Sequence, residues 1–480
     1  MGDPYFNKPQ NIDLLIGAET FFELLSAGQI KQGPEYPTIQ KTLLGWIVFA
    51  KYPMCSSSNT KQCNLVCQSE ELPDLDKAFQ RLWQMEEIPG ETKKFLTTEQ
   101  KMCEDHFVEN TKLLPTGRFE VKLPFKSSPN SLGSSFETAK RRFLALERKL
   151  SRNTELKAMY MDFMKEYLLL GHMSPTNNEI PKSPHYFIPH QCVLRPQSTS
   201  TKLRVVFDAS SRTSTQVSLN DILMVGPTIQ EELFSTLLRF RTHKYAITAD
   251  ITKMYRQVLI NEEHSNYQLI VWRQYPTQPL QYFRLNTVTY GTSPAPFLAI
   301  RCLKMLSDNF KNSYPTGSKV IEKDFYVDDL LTGADDIETL KIIKNEIQVI
   351  LKNRGFQLAK WYSNHLELYN AESPEKSIKF NDSTKTLGIC WQPKEDNFSF
   401  NLDSSFHDLR ATKRNILSVS SRLFDPLGLL CPIITKAKIL LQELWIAKLD
   451  WDESIPLRLD TCWQDIKPIS ALRDKNIKVC

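Results

Sequence analysis

The chain has 480 residues, long enough for about three domains and a sizeable core. Apolar residues make up 41% and charged residues 24%, which excludes fibrous and globally disordered proteins. The net charge of +5 permits a polyanionic partner but does not require one. Ten cysteines are too few for a disulfide scaffold, and no apolar run is long enough to cross a membrane. We therefore expect a cytoplasmic protein with reduced thiols.

Hydrophobic periodicity divides the chain into regions. Residues 11–52 predict small β-structure with one short helix near 21–25, and the Pro- and Ser-rich residues 53–75 predict a linker. Helical spacing follows at 76–110 and 136–170, and residues 175–200 are typical of a loop. From 200 to 365 strands and helices alternate, which favours an α/β or α+β unit. The expected strands are 203–207, 245–250, 266–273, 282–289 and 319–326, and the expected helices are 229–241 and 294–309.

Two adjacent acids, Asp328 and Asp329, lie within the otherwise apolar segment FYVDDLLTG at 325–333. A carboxylate in a buried strand costs free energy unless it is paired with a cation or binds a metal. An acidic pair at the tip of a hairpin supplies oxygen ligands for Mg²⁺, although an Asp-rich turn remains the alternative. A second apolar strand, YAITA at 245–249, ends in Asp250. One Asp at a strand end and an Asp pair on a later hairpin form the minimum set for a two-metal site.

These residues resemble the reverse transcriptase family, and more closely the polymerase of Pao/BEL-type long-terminal-repeat retrotransposons. YVDD at 326–329 resembles the family's catalytic hairpin, and Asp250 with Tyr255 resembles its first palm motif. Further motifs follow the family's order: KLRVVFD at 202–208, YGTSPAPF at 290–297, GFQLAKW at 355–361 and LGI at 387–389. Outside them, residues 121–125, 171–172 and 420–445 resemble flanking Pao segments. LLIGA at 14–18 and LGWIV at 44–48 resemble the C-terminal part of a retroviral-type aspartic protease.

The resemblance implies an α+β right-hand polymerase of fingers, palm and thumb, with a ferredoxin-like palm, preceded by a small partial β protease-like segment. The implied domains are a partial protease segment at 1–52, a linker and helical extension at 53–110, fingers and palm at 111–392, and a helical thumb or connection at 393–480. Within them, the fingers would run from about 110 to 240 and the palm would be split into 240–300 and 318–365.

The implied reaction is RNA-directed DNA synthesis, which adds deoxynucleotides to a primer on an RNA or DNA template with two Mg²⁺ ions, or with Mn²⁺. The implied catalytic residues are Asp250, Asp328 and Asp329, the metal ligands Asp250, Ile251 and Asp328, and the nucleotide-binding residues Lys202, Arg204, Tyr255, Gly291 and Lys360. Arg204 and Lys202 would meet the triphosphate, Tyr255 would exclude ribonucleotides, and Lys360 would protonate pyrophosphate. Gly291 would let the template backbone approach closely.

The sequence leaves alternatives open for several of these residues. Arg204 is also explained as an exposed strand charge, Tyr255 as a core aromatic and Lys360 as a solvated helix-end charge. The basic cluster Arg239, Arg241, His243 and Lys244 fits either a nucleic-acid backbone or a solvated helix end. Cys55, Cys63 and Cys67 have spacings that fit no zinc site, and Cys103 and His106 are expected to pack in a helix.

The chain departs from the family's motifs at two points, and at each point the family's function is not carried over. Many members have Gln where this chain has Tyr290, so the family's hydrogen bonding to the nucleotide is not carried over. The protease motif Asp-Thr/Ser-Gly is absent, so residues 1–52 are not expected to hydrolyse peptides, and the active-site half is expected before Met1. RNase H and integrase are likewise expected outside the chain, because no carboxylate set near its end indicates RNase H.

We expect the cytoplasm or virus-like particles as the location. The rival hypotheses are a catalytically inactive nucleic-acid-binding remnant of a decayed transposon and, more remotely, an aspartic peptidase.

Overall fold

A computed structural model describes residues 24–31, 38–49, 96–194, 202–368, 384–386, 389–399, 409–422 and 424–466. The chain forms two compact units, Met1–Thr92 and Lys93–Cys480. The described part of the first unit is an antiparallel sheet of β1 (Leu25–Ile30), β2 (Thr38–Thr42) and β3 (Gly45–Phe49). The helix expected near 21–25 is wrong at Leu24, which lies in a turn, and at Leu25, which begins β1; residues 21–23 lie outside the described ranges. Cys55, Cys63 and Cys67 also lie outside the described ranges.

The second unit begins with helices whose ends are set by side-chain caps. Thr97 forms a capping box with Gln100 at the start of α1 (Thr98–Asn110), and Asn153 caps α3 (Thr154–Leu169). Between them lie β4 (Lys112–Leu113), β5 (Phe119–Val121) and α2 (Phe136–Ser151). The buried residues of α2 recur at helical spacing and are Ala139, Phe143, Leu146 and Leu150. Cys103 is fully buried in α1, which confirms its packing role.

A two-stranded ribbon follows these helices. After β6 (Met173–Pro175), strand β7 (His190–Leu194) pairs antiparallel with β8 (Leu203–Phe207). The loop predicted at 175–200 is therefore wrong over β7, because the Pro- and Ser-rich flanks obscured a short strand. The chain then forms α4 (Leu219–Ile222) and α5 (Leu233–Arg241). The helix predicted at 229–241 begins only at Leu233.

The central sheet has the strand order β13-β14-β9-β15, and all its neighbours are antiparallel. Its strands are β9 (Tyr245–Ile251), β13 (Phe325–Tyr326), β14 (Asp329–Ala334) and β15 (Leu358–Ser363). Short strands β10 (Leu259–Ile260), β11 (Leu269–Trp272) and β12 (Gln281–Leu285) form smaller sheets with β5, β4 and β6. Helices α6 (Ala295–Phe310), α7 (Pro315–Lys323) and α8 (Ile337–Lys352) bury apolar faces in the same core as β9.

The strand predicted at 319–326 is mostly helix in the structure. Pro315 opens α7, where its missing N–H costs no hydrogen bond. Val320 and Ile321 are buried on one face of this helix, so their β-branched side chains had suggested a strand where packing favours a helix. Only Phe325–Tyr326 is extended, as β13.

The C-terminal part contains a small sheet and three described helices. Strands β16 (Thr384–Thr386), β17 (Ile389–Gln392) and β18 (Asn397–Ser399) pair antiparallel. Helices α9 (Lys413–Ser420), α10 (Cys431–Ile446) and α11 (Leu457–Ile466) surround a separate core that includes Ile416, Leu444 and Trp463. None of the helices in the described part of the chain is long and apolar enough to span a membrane.

The basic cluster at the end of α5 forms internal ion pairs. Arg239 Nε contacts Asp324 Oδ1 at 2.8 Å, and Arg241 Nη1 contacts Asp396 Oδ1 at 2.6 Å. The Asp324 carboxylate, which is buried, also accepts a hydrogen bond from Thr332 Oγ1 at 2.7 Å. These two arginines therefore tie α5 to β14 and to the C-terminal sheet, so neither of the alternatives open in the sequence describes them.

Buried histidines make the fold sensitive to acid. His190 lies among aromatic rings, donates from Nε2 to Val271 O and accepts at Nδ1 from the Tyr160 hydroxyl. Burial lowers the pKa of His190 to about 4, against about 6.5 in an unfolded chain. The unfolded chain therefore binds the proton first, so this contribution to stability is complete above about pH 6.5 and is lost as pH falls toward 4.

We expect the free energy of unfolding to fall by about 2 kcal/mol between pH 7 and pH 5 through His190 alone. His190→Gln should be less stable at pH 7, because Tyr160 loses its acceptor, but its stability should change less with pH. Urea unfolding at the two pH values measures both effects. His185→Gln, at a histidine that is only partly buried, is the control and should keep the wild-type dependence. An equally steep dependence in His190→Gln would contradict the assignment.

Candidate active site

Asp250 and the 328–329 pair meet because of the register of two central strands. Asp250 on β9 is the cross-strand partner of Asp329 on β14. The backbone N–H of Ile251 donates to the carbonyl of Asp328 at 2.8 Å. Val327, at the turn of the β13–β14 hairpin, has φ of +57°, and its N–H donates to Gln230 Oε1 at 3.1 Å. The hairpin thus holds Asp328 against the end of β9.

The negative charge of Asp250 acts on the carboxylate of Asp328. Burial raises the pKa of Asp328, and the negative charge of Asp250 raises it further. The positive charges of Lys360 and Arg204 act in the opposite direction on the same pKa. The pKa of Asp328 therefore depends on one acid and two cations, and these four residues come from four separate parts of the sequence.

Lys360 contacts the acids directly. Its Nζ lies 2.7 Å from Asp250 Oδ2, and about half of the lysine side chain is exposed. The residue has φ of +52° and stands where the β15–β9 register shifts, so the backbone irregularity occurs at the lysine. The helix-end alternative is wrong, because Lys360 lies on a strand.

Tyr255 follows β9 on a 3₁₀ turn, Met254–Gln257. Burial raises the pKa of its hydroxyl, and the negative charge of Asp328 raises this pKa further. The ring is half-buried and also packs against the main core. The turn is fixed by Glu166 of α3, whose Oε1 lies 2.6 Å from Lys253 Nζ and 2.9 Å from Arg256 Nη1.

The ribbon places Arg204 at the site but leaves Lys202 apart. Arg204 is exposed on β8, and its charge lowers the pKa of both Asp328 and Tyr290. Among the described residues, no contact links Lys202 to the acids. The expected nucleotide-binding role of Lys202 therefore stays a prediction from its sequence position.

Gly291 is required by a close approach within the protein itself. Its φ is +101°, and a Cβ at this position would lie 2.2 Å from Phe207 O. The sequence had assigned its small size to an approaching template, but the backbone of β8 already demands it. The preceding Tyr290 packs on Phe207 with ring centroids 5.3 Å apart, and it hydrogen-bonds with Tyr167 and Arg256.

Asn220 is a positioning residue that the sequence did not reveal. Its Nδ2 donates to Gly291 O at 3.0 Å and to Ser210 Oγ at 2.8 Å, and its Oδ1 accepts from Ser293 N at 2.8 Å. One amide therefore fixes the segment from Gly291 to Ser293. The available signal was the capping box of Ser218 and Asp221, which sets α4 and so directs Asn220.

The donor chemistry of the site fits a divalent cation. Two carboxylates converge, and hard oxygen ligands are those that Mg²⁺ prefers. Within the described ranges, no group of three or more His, Cys, Asp or Glu side chains forms a metal-binding cluster. The protein thus offers Asp250 and Asp328 as side-chain ligands, with the backbone of Ile251 beside them, and a substrate would have to complete the set.

Comparison with known proteins gives one family match. A family model described as a Pao retrotransposon-like RNaseH-like domain matches residues 412–479. No curated protein matches the chain. The match supports a relation to the Pol proteins of Pao/BEL retrotransposons, a family of proteins that process nucleic acids, and it is consistent with nucleic-acid partners.

The matched segment was expected to be a thumb or connection, with RNase H encoded elsewhere. The match indicates an RNase H-like domain there instead. In the described part of that segment, from 412 to 466 without 423, only helices are present, namely α9, α10 and α11. Two of its acids are held in exposed ion pairs, Asp452 with Arg414 and Glu443 with Arg458. No acidic signature of RNase H is recognisable in the sequence, and these pairs do not supply one.

Proposed function

We propose that this protein is an RNA-directed DNA polymerase of a Pao/BEL-type retrotransposon, which adds deoxynucleotides to a primer 3′-hydroxyl. The convergence of Asp250 and Asp328 at the end of a central antiparallel sheet carries the proposal, with Arg204 and Lys360 beside them. The Pao family match supports the retrotransposon origin independently, because it lies outside the sheet.

The proposed architecture is a right hand. The palm would be the β13-β14-β9-β15 sheet with α6 and α8, and the fingers would be the α2, α3 and β7–β8 region. The β-sheet of β1, β2 and β3 would be the protease-like segment. Arg204 supports the fingers assignment, because a residue from the ribbon acts electrostatically on the acid of the hairpin.

Each of these side chains would have a separate role in nucleotidyl transfer. Asp250 and Asp328, with the carbonyl of Ile251, would hold divalent cations, which when bound lower the pKa of a primer hydroxyl and neutralise phosphate charge. Arg204 would present a guanidinium, whose fork matches phosphate oxygens. Lys360 lies at the acids with its ammonium half exposed, so it can turn from Asp250 toward a leaving pyrophosphate. Asp329 supports Asp250 across the strand pair.

Primer extension tests the proposal directly. The purified whole chain should extend a DNA primer on an RNA template with deoxynucleotides and Mg²⁺, one templated residue at a time. Omitting the deoxynucleotide complementary to the next template base should stop the product at that position. Binding of primer–template without extension, in Mg²⁺ or Mn²⁺, would instead support the inactive nucleic-acid-binding alternative.

Tyr255 provides a test of sugar selection. Tyr255 follows β9, the strand that carries Asp250, and the charge of Asp328 acts on its hydroxyl, so we propose that a 2′-hydroxyl would meet the edge of its ring. Tyr255→Val should raise ribonucleotide use relative to deoxynucleotide use by about tenfold, equivalent to about 1.4 kcal/mol of transition-state discrimination. The measurement is the ratio of kcat/KM values in single-nucleotide extension. Tyr255→Phe keeps the ring and should keep the ratio. An unchanged ratio in folded Tyr255→Val would leave Tyr255 as a core aromatic.

A further inference from the structure

The outer face of α2 has arginines aligned along one line. Arg141, Arg148 and Arg152 are all exposed. At about 100° per residue, Arg148 and Arg152 lie within about 20° of the direction of Arg141, and the line is about 16 Å long. Ala145 stands between them, and exposed Lys149 lies beside the line. Arg148 and Arg152 lie at the C-terminal end of α2, where positive charge interacts favourably with the helix dipole. Arg141 lies in the middle of the helix, so the dipole does not explain its position.

The nearby acids do not neutralise this line. Glu147, on the same helix, is held by Arg273 through two contacts of 2.7 and 2.8 Å. Asp208 is bound by Arg142, and the charge of Glu137 acts on Tyr282. Across the described ranges, none of Arg141, Arg148, Lys149 or Arg152 forms an ion pair with a carboxylate. The line therefore presents uncompensated positive charge to solvent.

An exposed aromatic ring lies on a loop that is bound to α2. Tyr275 is 45% exposed and lies in the β11–β12 loop. That loop is tied to α2 by the Arg273–Glu147 pair, and Arg273 Nη1 also donates to Gln278 O at 3.0 Å. Lys157 of α3 places its Nζ 5.7 Å from the centre of the Tyr275 ring. The loop thus presents a ring and a cation beside α2.

We propose that this surface, Arg141, Arg148, Arg152 and Tyr275, binds single-stranded nucleic acid. A line of guanidinium groups follows one phosphate backbone, and an exposed ring stacks an unpaired base, which a duplex does not offer. An acidic protein surface would satisfy the charges but would give Tyr275 no base to stack on. The surface is separate from the acids, because Lys149 lies beside Cys192 on one face of the β7–β8 ribbon and Arg204 projects from the other.

Binding of labelled oligonucleotides by the whole chain tests the inference without any polymerisation. The triple variant Arg141→Gln, Arg148→Gln, Arg152→Gln should bind a single-stranded 20-mer about tenfold more weakly at 0.1 M salt. The slope of log affinity against log salt should fall by about 2, since each phosphate contact on a single strand contributes about 0.7. Exposed Lys311, Lys319 and Lys352, all changed to Gln, remove equal charge elsewhere and should leave both quantities unchanged.

Tyr275→Ala separates stacking from charge. It should weaken binding about fivefold or more without altering the salt slope, and it should have no effect on an abasic strand. Equal losses for blunt duplex, single strand and heparin would overturn the inference in favour of a general polyanion surface, as would wild-type binding by the triple variant. The assay measures binding without any polymerisation, so failure of the polymerase proposal leaves this result unaffected.

Discussion

Replacing Asp328 by Asn is expected to reduce primer extension by about a thousandfold or more, while affinity for primer–template changes by less than about twofold. The carboxylate supplies charge where the reaction needs it, and an amide of the same size does not. Binding depends on phosphate contacts elsewhere, so removing one negative charge should not weaken it. Single-turnover extension and equilibrium binding are measured on the same preparations.

Stability distinguishes a catalytic from a structural role for Asp328. Burial and the charge of Asp250 both disfavour its ionised form, which is why its pKa is raised. Asp328→Asn should therefore be at least as stable as the wild type. Asp335→Asn, at an exposed acid just beyond β14, is the matched control and should keep full activity. Parallel losses of activity, binding and stability in Asp328→Asn would assign the residue to folding.

Gly291→Ala should lower the free energy of unfolding by about 3 kcal/mol or more. A methyl group there would lie 2.2 Å from Phe207 O, and φ of +101° is unfavourable for any residue with a side chain. Neither the carbonyl nor the β8 strand can move away cheaply, because β8 is paired and buried. Chemical denaturation measures the change.

Gly171→Ala is the control for backbone conformation alone. Gly171 has φ of +69°, and an added Cβ would meet nothing within 4 Å. Its loss should be about 1 kcal/mol. If the two variants lose equal stability, the contact with Phe207 is not what requires glycine at position 291.

The sequence predicted the centre of the site because strand chemistry is local. An apolar strand ending in Asp250 and an acidic hairpin at 328–329 are readable without contacts, and register then brings them together. Asn220 could not be found in this way, since its role depends on three partners, two of them about 70 residues further along the chain. Likewise, Arg239 and Arg241 resembled a binding patch until folding paired them with Asp324 and Asp396.

The secondary structure predicted from the sequence is wrong where tertiary packing outweighs the local preference of the residues. Val320 and Ile321 favour a strand by composition, but the turn at Pro315 and the packed face of α7 make them helical. Strand β7 was missed because it needs β8 as a partner and has polar and Pro-rich neighbours. The segment matched at 412–479 shows another limit, since its family relation rests on no catalytic residues that chemistry alone would single out.

The contact between Lys360 and Asp250 gives the acid site its own counter-ion. Two neighbouring carboxylates would otherwise repel each other as the sheet closes, and folding would have to wait for a metal, as in zinc fingers. Because the Lys360 ammonium lies 2.7 Å from Asp250, the strands can assemble first. A metal ion can then replace the ammonium beside Asp250. We therefore expect a chelator to abolish catalysis but to leave the melting temperature unchanged, because folding of the chain would not depend on metal binding.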